Sequence, residues 1–172
     1  AQTAYTLEIQ DNEPPTVFFV EETNERTETE EALTALVGLS RANDEPITVN
    51  WAMEGSAEQD KDYAVTVEPL VFAPGETGKT IEYTLLDDEE FEEAETAVFA
   101  LTSVNDKKAR IIRNAGLGHY DKHTLTILDD ERPFAEVRDA TITVAEGVGT
   151  VAVWIMLSHD YEEEEIEVIW EY

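Results

Sequence analysis

Cysteine is absent, and histidine occurs only at His119, His123 and His159. Such a chain can form no disulfide scaffold, thiol nucleophile or cysteine-ligated zinc site, and three scattered imidazoles do not make a His-rich transition-metal site. A chain without cysteine is compatible with an extracellular life. Basic residues are also scarce: 11 Lys and Arg stand against 40 Asp and Glu, a formal charge of -29 over 172 residues. Nucleic-acid binding needs clustered cations for phosphate, so that class is excluded, and the same field repels anionic lipid while attracting cations. No apolar run approaches 18 residues, so direct membrane insertion by a helix is not expected, and no secretory leader is visible. No Gly-rich phosphate loop, serine nucleophile elbow or HExxH motif occurs. What remains is ligand chemistry based on oxygen.

The apolar content of 42% is enough for a core. It recurs with period two in seven short runs, 16–20, 32–39, 47–53, 65–72, 80–86, 96–101 and 124–128, rich in Val, Ile, Thr or aromatics. Gly, Pro, Asn or Asp bound each run. The pattern predicts an all-β fold: a seven-stranded antiparallel sandwich of the immunoglobulin-like kind. Residues 87–96 hold seven carboxylates; like charges three and four apart would repel in a helix, so this stretch reads as a loop. Residues 103–120 break the alternation and carry Lys107, Lys108, Arg110 and Arg113. They read as a long connection before the last strand, a variable surface loop with room for partner contact. Trp51 and Trp170 sit in strand patterns and read as core.

An internal repeat organises the chain. TLEIQDNEPP at 6–15 returns as TLTILDDERP at 124–133, an offset of 118. At that offset Thr23 meets Thr141, Glu28 meets Glu146, and Leu39-Ser40 meets Leu157-Ser158. One inserted residue later, Ile47, Val49 and Trp51 meet Ile166, Val168 and Trp170. The chain therefore divides into the last strand of a preceding unit (1–13), a complete unit (14–131) and the first three strands of a following unit (132–172). Glu13-Pro14-Pro15 and Glu131-Arg132-Pro133 are short, stiff joints, which makes adjacent repeats the expected partners. The three strands at 132–172 would be marginal without a second sheet. They are expected either to be disordered or to be completed by intermolecular strand pairing, for instance with the strand at 5–9 of a neighbouring copy.

In a run of seven strands, alternate connections fall at one end. That parity directs Glu28, Asp62, Asp87, Asp88, Glu92, Glu95, Asp129, Asp130 and Glu131 to a single pole. So many like charges need a counter-ion, and calcium, with six to eight oxygen ligands at about 2.3–2.6 Å, answers the need better than magnesium. Their number suggests two or more Ca2+ ions. The pattern of an EF-hand loop is absent. Glycoside hydrolysis, the one enzyme class that paired acids suggest, requires an acid buried beside a substrate groove; here the acids crowd on loops, and no enzyme is expected. The remaining alternative is a solvated acidic surface on a salt-adapted spacer.

At these residues the chain resembles the Calx-beta family, modules found as calcium sensors in sodium–calcium exchangers and as repeats in large cell-surface and adhesion proteins. The resemblance rests on GSAEQDKDY at 55–63, LVFAPGETGKTIEYTLLDDEEFEEAET at 70–96, LTILDDE at 125–131 and ITVAEGVGTVAVWIMLS at 142–158. It implies a seven-stranded sandwich binding calcium through the nine carboxylates above, with the backbone carbonyl of Glu90 as a further ligand. Two positions depart from the family pattern: Glu28-Thr29 stands where Glu-Gly is usual, and Gly55-Ser56-Ala57 where Gly-Thr-Ala is usual. The leading expectation is a calcium-rigidified tandem repeat of an extracellular adhesion or cell-surface protein, with a protein or carbohydrate ligand. The alternative is a cytosolic regulatory calcium sensor of an exchanger-type transporter.

Overall fold

In the computed structural model, residues 6–7, 13–29, 31–131, 134–138, 143, 145–147, 149–150 and 152–158 are described. They fall into two units, Ala1–Asp87 with Ala94–Leu128, and Asp88–Glu93 with Asp129–Tyr172.

In the first unit the period-two runs become strands because every second side chain has an apolar layer to enter. Along β3 (Ala32–Leu39), Ala35, Val37 and Leu39 point inward; along β4 (Ile47–Gly55), Ile47, Val49 and Trp51 do so. Ile81, Tyr83 and Leu85 of β7 (Gly78–Leu85) and Ala97, Phe99 and Leu101 of β8 (Glu95–Val104) complete the layer with Leu125 and Ile127 of β10 (Lys122–Leu128). His123 is also buried there, packed by Phe19 and Phe99, with Nδ1 3.1 Å from the Glu21 carbonyl.

The seven runs do not map one to one onto strands. The first unit has ten strands among the described residues, because one run divides between the sheets and two strands, β2 and β9, form outside the runs. The first run gives β1 (Thr16–Phe19) in one sheet, and the chain then crosses to form β2 (Thr23–Thr27) in the other. The run at 65–72 divides into β5 (Tyr63–Val65) and β6 (Leu70–Phe72), again in opposite sheets. Pro69, which has no N–H for a ladder, stands at that break. The connection before β10 contributes β9 (Arg110–Ile111) and two short 3-10 turns. The sheets run β5-β7-β3-β1-β9 and β2-β10-β8-β4-β6. Two pairings are parallel rather than antiparallel, β1 with β9 and β2 with β10.

β2 escaped sequence reading because its residues, TNERT, show no apolar alternation. The backbone ladder to β10 holds it, with Thr23 opposite Thr124 and Thr27 opposite Leu128. Charged side chains on such an edge discourage pairing with another chain. Where the chain crosses between β5 and β6, Trp51 Nε1–H donates to the Glu68 carbonyl at 2.7 Å. Trp51→Phe keeps most of the ring packing and loses this bond. Urea unfolding should show a loss of about 1 kcal/mol; an unchanged midpoint would mean that water replaces the bond without cost.

In the second unit β11 (Ala135–Val137) pairs antiparallel with β12 (Ile155–Leu157). The pair reproduces β1–β3 bond for bond at the offset of the sequence repeat. Val17, Phe18 and Phe19 oppose Leu39, Gly38 and Val37; Ala135, Glu136 and Val137 oppose Leu157, Met156 and Ile155. Ser40 N–H donates to the Thr16 carbonyl at 2.9 Å, and Ser158 N–H to that of Phe134 at 3.0 Å. The serine hydroxyls accept the matching return bonds from Thr16 N–H at 2.9 Å and Phe134 N–H at 3.1 Å. Of the strand expected at 5–9 only residues 6–7 are described, and they are in no strand; the strand expected at 166–170 lies outside the described residues.

Candidate functional site

Three backbone bonds gather the loops of the first unit at one end. Glu28 N–H donates to Leu128 O at 2.7 Å, Leu85 N–H to Glu31 O at 3.0 Å, and Leu86 N–H to Asp62 O at 3.0 Å. The ends of β2, β7 and β10 are thereby tied to each other and to the connection that carries Asp62. Gly55 pins the start of that connection onto β8: its φ is +119°, and a Cβ would stand 2.0 Å from the Thr96 carbonyl oxygen. Only glycine permits that approach. Ser56 Oγ then accepts Thr96 N–H at 2.9 Å, and Ala57 N–H donates to Thr96 O at 3.1 Å.

The consequence is a buried acidic pair. Glu28 is 3% exposed and Asp62 2% exposed, with carboxylate oxygens within 4.8 Å of one another. Asp62 Oδ2 accepts Glu58 N–H at 2.5 Å, while Oδ1 has no hydrogen-bond donor and lies 3.9 Å from Lys61 Nζ. Glu95, at the start of β8, is held above the usual carboxylate range by burial and then by a hydrogen bond to, and the charge of, Asp62. Asp87 follows β7 and is exposed. Glu28 is thus among the most buried of the expected ligands, although Glu28-Thr29 departs from the family's Glu-Gly.

The second unit holds the other six expected ligands. Asp129 is its hub: Oδ1 accepts Glu131 N–H at 2.7 Å, and Oδ2 accepts Glu92 N–H. Asp88 Oδ1 accepts the N–H of Glu90, an exposed residue, at 2.6 Å. Carboxylate oxygens of Asp130 and Glu131 lie within 4.8 Å of one another. A hydrogen bond to the Asp129 carboxylate, desolvation and the charges of Asp129 and Asp130 push Glu131 up to about 7.

This shift sets a pH dependence for the metal-free protein. The folded form holds a proton on Glu131 that the unfolded chain releases near the ordinary value of 4.5. The associated stability is present below 4.5 and is lost as pH rises to about 7; Glu95 acts in the same direction. In chelator, the melting temperature should fall over that interval, and Glu131→Gln should flatten the fall. An equal slope in the variant would exclude Glu131 as its source.

The donor set is oxygen only, crowded and like-charged, with a buried Asp62 oxygen that lacks a donor. Such a set suits a hard cation with irregular coordination, and calcium fits it. Among the described residues no helix is long and apolar enough to cross a membrane.

The family model described as the Calx-beta domain matches residues 10–131. Sodium/calcium exchanger 1 of Bos taurus is 28% identical over 163 residues, covering 87% of this chain and 17% of the exchanger. Sodium/calcium exchanger 2 of Rattus norvegicus is 32% identical over 114 residues, covering 61% of this chain and 12% of the exchanger. The chain thus spans at most 17% of the length of these relatives. Among solved structures, the apo-form Calx CBD1 domain superposes with a TM-score of 0.60 at 19% identity, covering 69% of this chain and 100% of that one. CBD12 from CALX1.2 superposes with a TM-score of 0.58 at 19% identity, covering 77% and 51% of the two chains. These structures share the sandwich fold.

Proposed function

The chain belongs to the Calx-beta domain family, and on that premise we propose that it is a non-catalytic, calcium-binding regulatory module of an exchanger-type transporter. The observation that carries the reading is the buried Glu28–Asp62 pair, a charge arrangement that a bound cation relieves. Glu28, Asp62, Asp87 and Glu95 of the first unit, and Asp88, Glu92, Asp129, Asp130, Glu131 and the Glu90 carbonyl of the second, supply the ligands for two or more Ca2+ ions. Residues 14–131 form one complete module, with 1–13 the last strand of a preceding module and 132–172 the opening of a following one. The bond-for-bond likeness of β11–β12 to β1–β3 supports that division, and adjacent repeats are the partners it implies.

The reading as an extracellular adhesion repeat rested on minimal linkers and heavy acidity. Neither feature is specific to an adhesion protein, and relatives named as sodium/calcium exchangers favour the alternative. The module's place is then the cytosol. Isothermal titration of the calcium-stripped chain at physiological salt tests the proposal. At least two calcium equivalents should bind, with a much weaker response to magnesium. No heat, or equal responses to the two ions, would leave only the salt-adapted spacer.

A further inference from the structure

Four cations of the first unit pair with acids outside the expected ligand set: Lys79 with Glu76, Lys108 with Glu45, Arg113 with Glu22 and Lys122 with Glu54. Lys61 instead lies against a buried member of that set, its Nζ 3.9 Å from Asp62 Oδ1. A tight turn fixes the placement. Asp60, at φ +66°, donates its N–H to Tyr63 O at 2.8 Å, and the N–H groups of Lys61 and Asp62 donate to Glu58 O at 3.3 and 3.0 Å. Glu58 N–H in turn holds Asp62 Oδ2, while Oδ1 has no hydrogen-bond donor. At 3.9 Å the ammonium is beyond direct hydrogen bonding, so it offsets the charge on Oδ1 without satisfying it. It acts on a second acid as well: burial and then the bond to Asp62 raise Glu95, and the Lys61 charge opposes them. The Lys61 side chain is 40% exposed, against 3% for that of Asp62, so its amine has solvent to withdraw into.

We propose that Lys61 is an internal counter-ion of the Asp62 carboxylate, one that steadies the metal-free site and competes with the cation it takes up. The proposal rests on the calcium-binding reading above. An ammonium and a divalent cation drawn to one oxygen repel each other, so what the lysine contributes to the metal-free site is withdrawn when calcium binds. Lys61 therefore sets the affinity of the site below what its carboxylates alone would give. It also limits how far the fold loosens when calcium leaves, because the buried acid is never wholly without a positive neighbour. Partial exposure keeps the effect modest, on the scale of a solvent-screened ion pair.

Lys61→Gln, made in the full chain, removes the charge and leaves the backbone of the turn intact. In chelator its melting temperature should fall by about 3 °C. Isothermal titration with calcium should show binding about threefold tighter than in the unaltered chain. Lys61→Arg keeps the charge and should resemble the unaltered chain in both measurements. In an Asp62→Asn background, Lys61→Gln should produce at most a small part of either effect. The opposite signs separate this role from a merely structural one, in which the variant would lose stability with and without calcium and gain no affinity. If the unaltered chain bound no calcium, the calcium-binding reading would fall and this proposal with it. If the unaltered chain bound calcium but Lys61→Gln left the affinity unchanged or lowered it, or did not lower the metal-free melting temperature, the proposal alone would be overturned.

Discussion

Calcium at a hundredfold excess over its dissociation constant should raise the melting temperature of the chain by about 10 °C. One ion binding only the folded form adds about 2.7 kcal/mol at that excess. For a domain of this size each kcal/mol is worth about 4 °C. The physical source lies in the closeness of the acids. Two carboxylates about 5 Å apart repel by about 3 kcal/mol at an effective dielectric near 20. The Glu28–Asp62 pair is that close and is withdrawn from the solvent that would screen it. Sodium chloride at matched ionic strength reaches exposed charges but not this pair, so it should yield a small fraction of the shift. Differential scanning calorimetry in calcium, in chelator and in matched sodium chloride measures all three. If sodium chloride reproduced the calcium shift, screening and not ligation would be the cause.

Asp62→Asn should move the stability of the two states in opposite directions. The amide oxygen can still accept Glu58 N–H, so the loop keeps its local bond. In chelator the variant lacks one of the clustered charges and should gain on the order of 1 kcal/mol. In calcium it lacks a buried ligand and should lose most of the about 2.7 kcal/mol that the ion contributes. Urea unfolding with and without calcium separates the two effects. Destabilisation of equal size in both conditions would assign Asp62 a purely structural role. The buried site explains why so large a swing is expected from one oxygen-to-amide exchange; the same change at the exposed Asp87 should do much less.

Legibility followed apolar alternation. Ile47, Val49 and Trp51, or Ile81, Tyr83 and Leu85, announce an inward face by period alone, and the structure buries each of them. β2 carried no such signal, since TNERT is held by a ladder to a strand about 100 residues away. β5 and β6 looked like one run because periodicity reports a face and not a sheet, and both segments put side chains toward the same interior. The two-residue β9 was hidden in a basic segment whose residues give no strand pattern.

The acidic site divides in the same way. Strand parity and the resemblance of the 70–96 and 125–131 segments point to the acids of both units from the sequence alone. Burial was not legible: Glu28 and Asp62 look no different in sequence from the exposed acids at Glu89 and Glu93. Their distinction comes from long-range bonds, Glu28 N–H to Leu128 O and Leu86 N–H to Asp62 O. The role of Gly55, which lets the connection lie against Thr96, likewise depends on a strand 40 residues away.

By itself the sequence determined the all-β class, the repeat at an offset of 118, the absence of thiol chemistry, and the family. Each of these is read from residue identity and order alone: composition, period two, short motifs and their recurrence need no contact between segments. Only the tertiary structure decided which strands change sheets, which carboxylates lose their water, and that Asp129 holds Glu92 and Glu131 by their N–H groups. Those outcomes depend on backbone bonds and packing between segments far apart in the chain, where the desolvation that sets charge energetics arises only once the fold has closed.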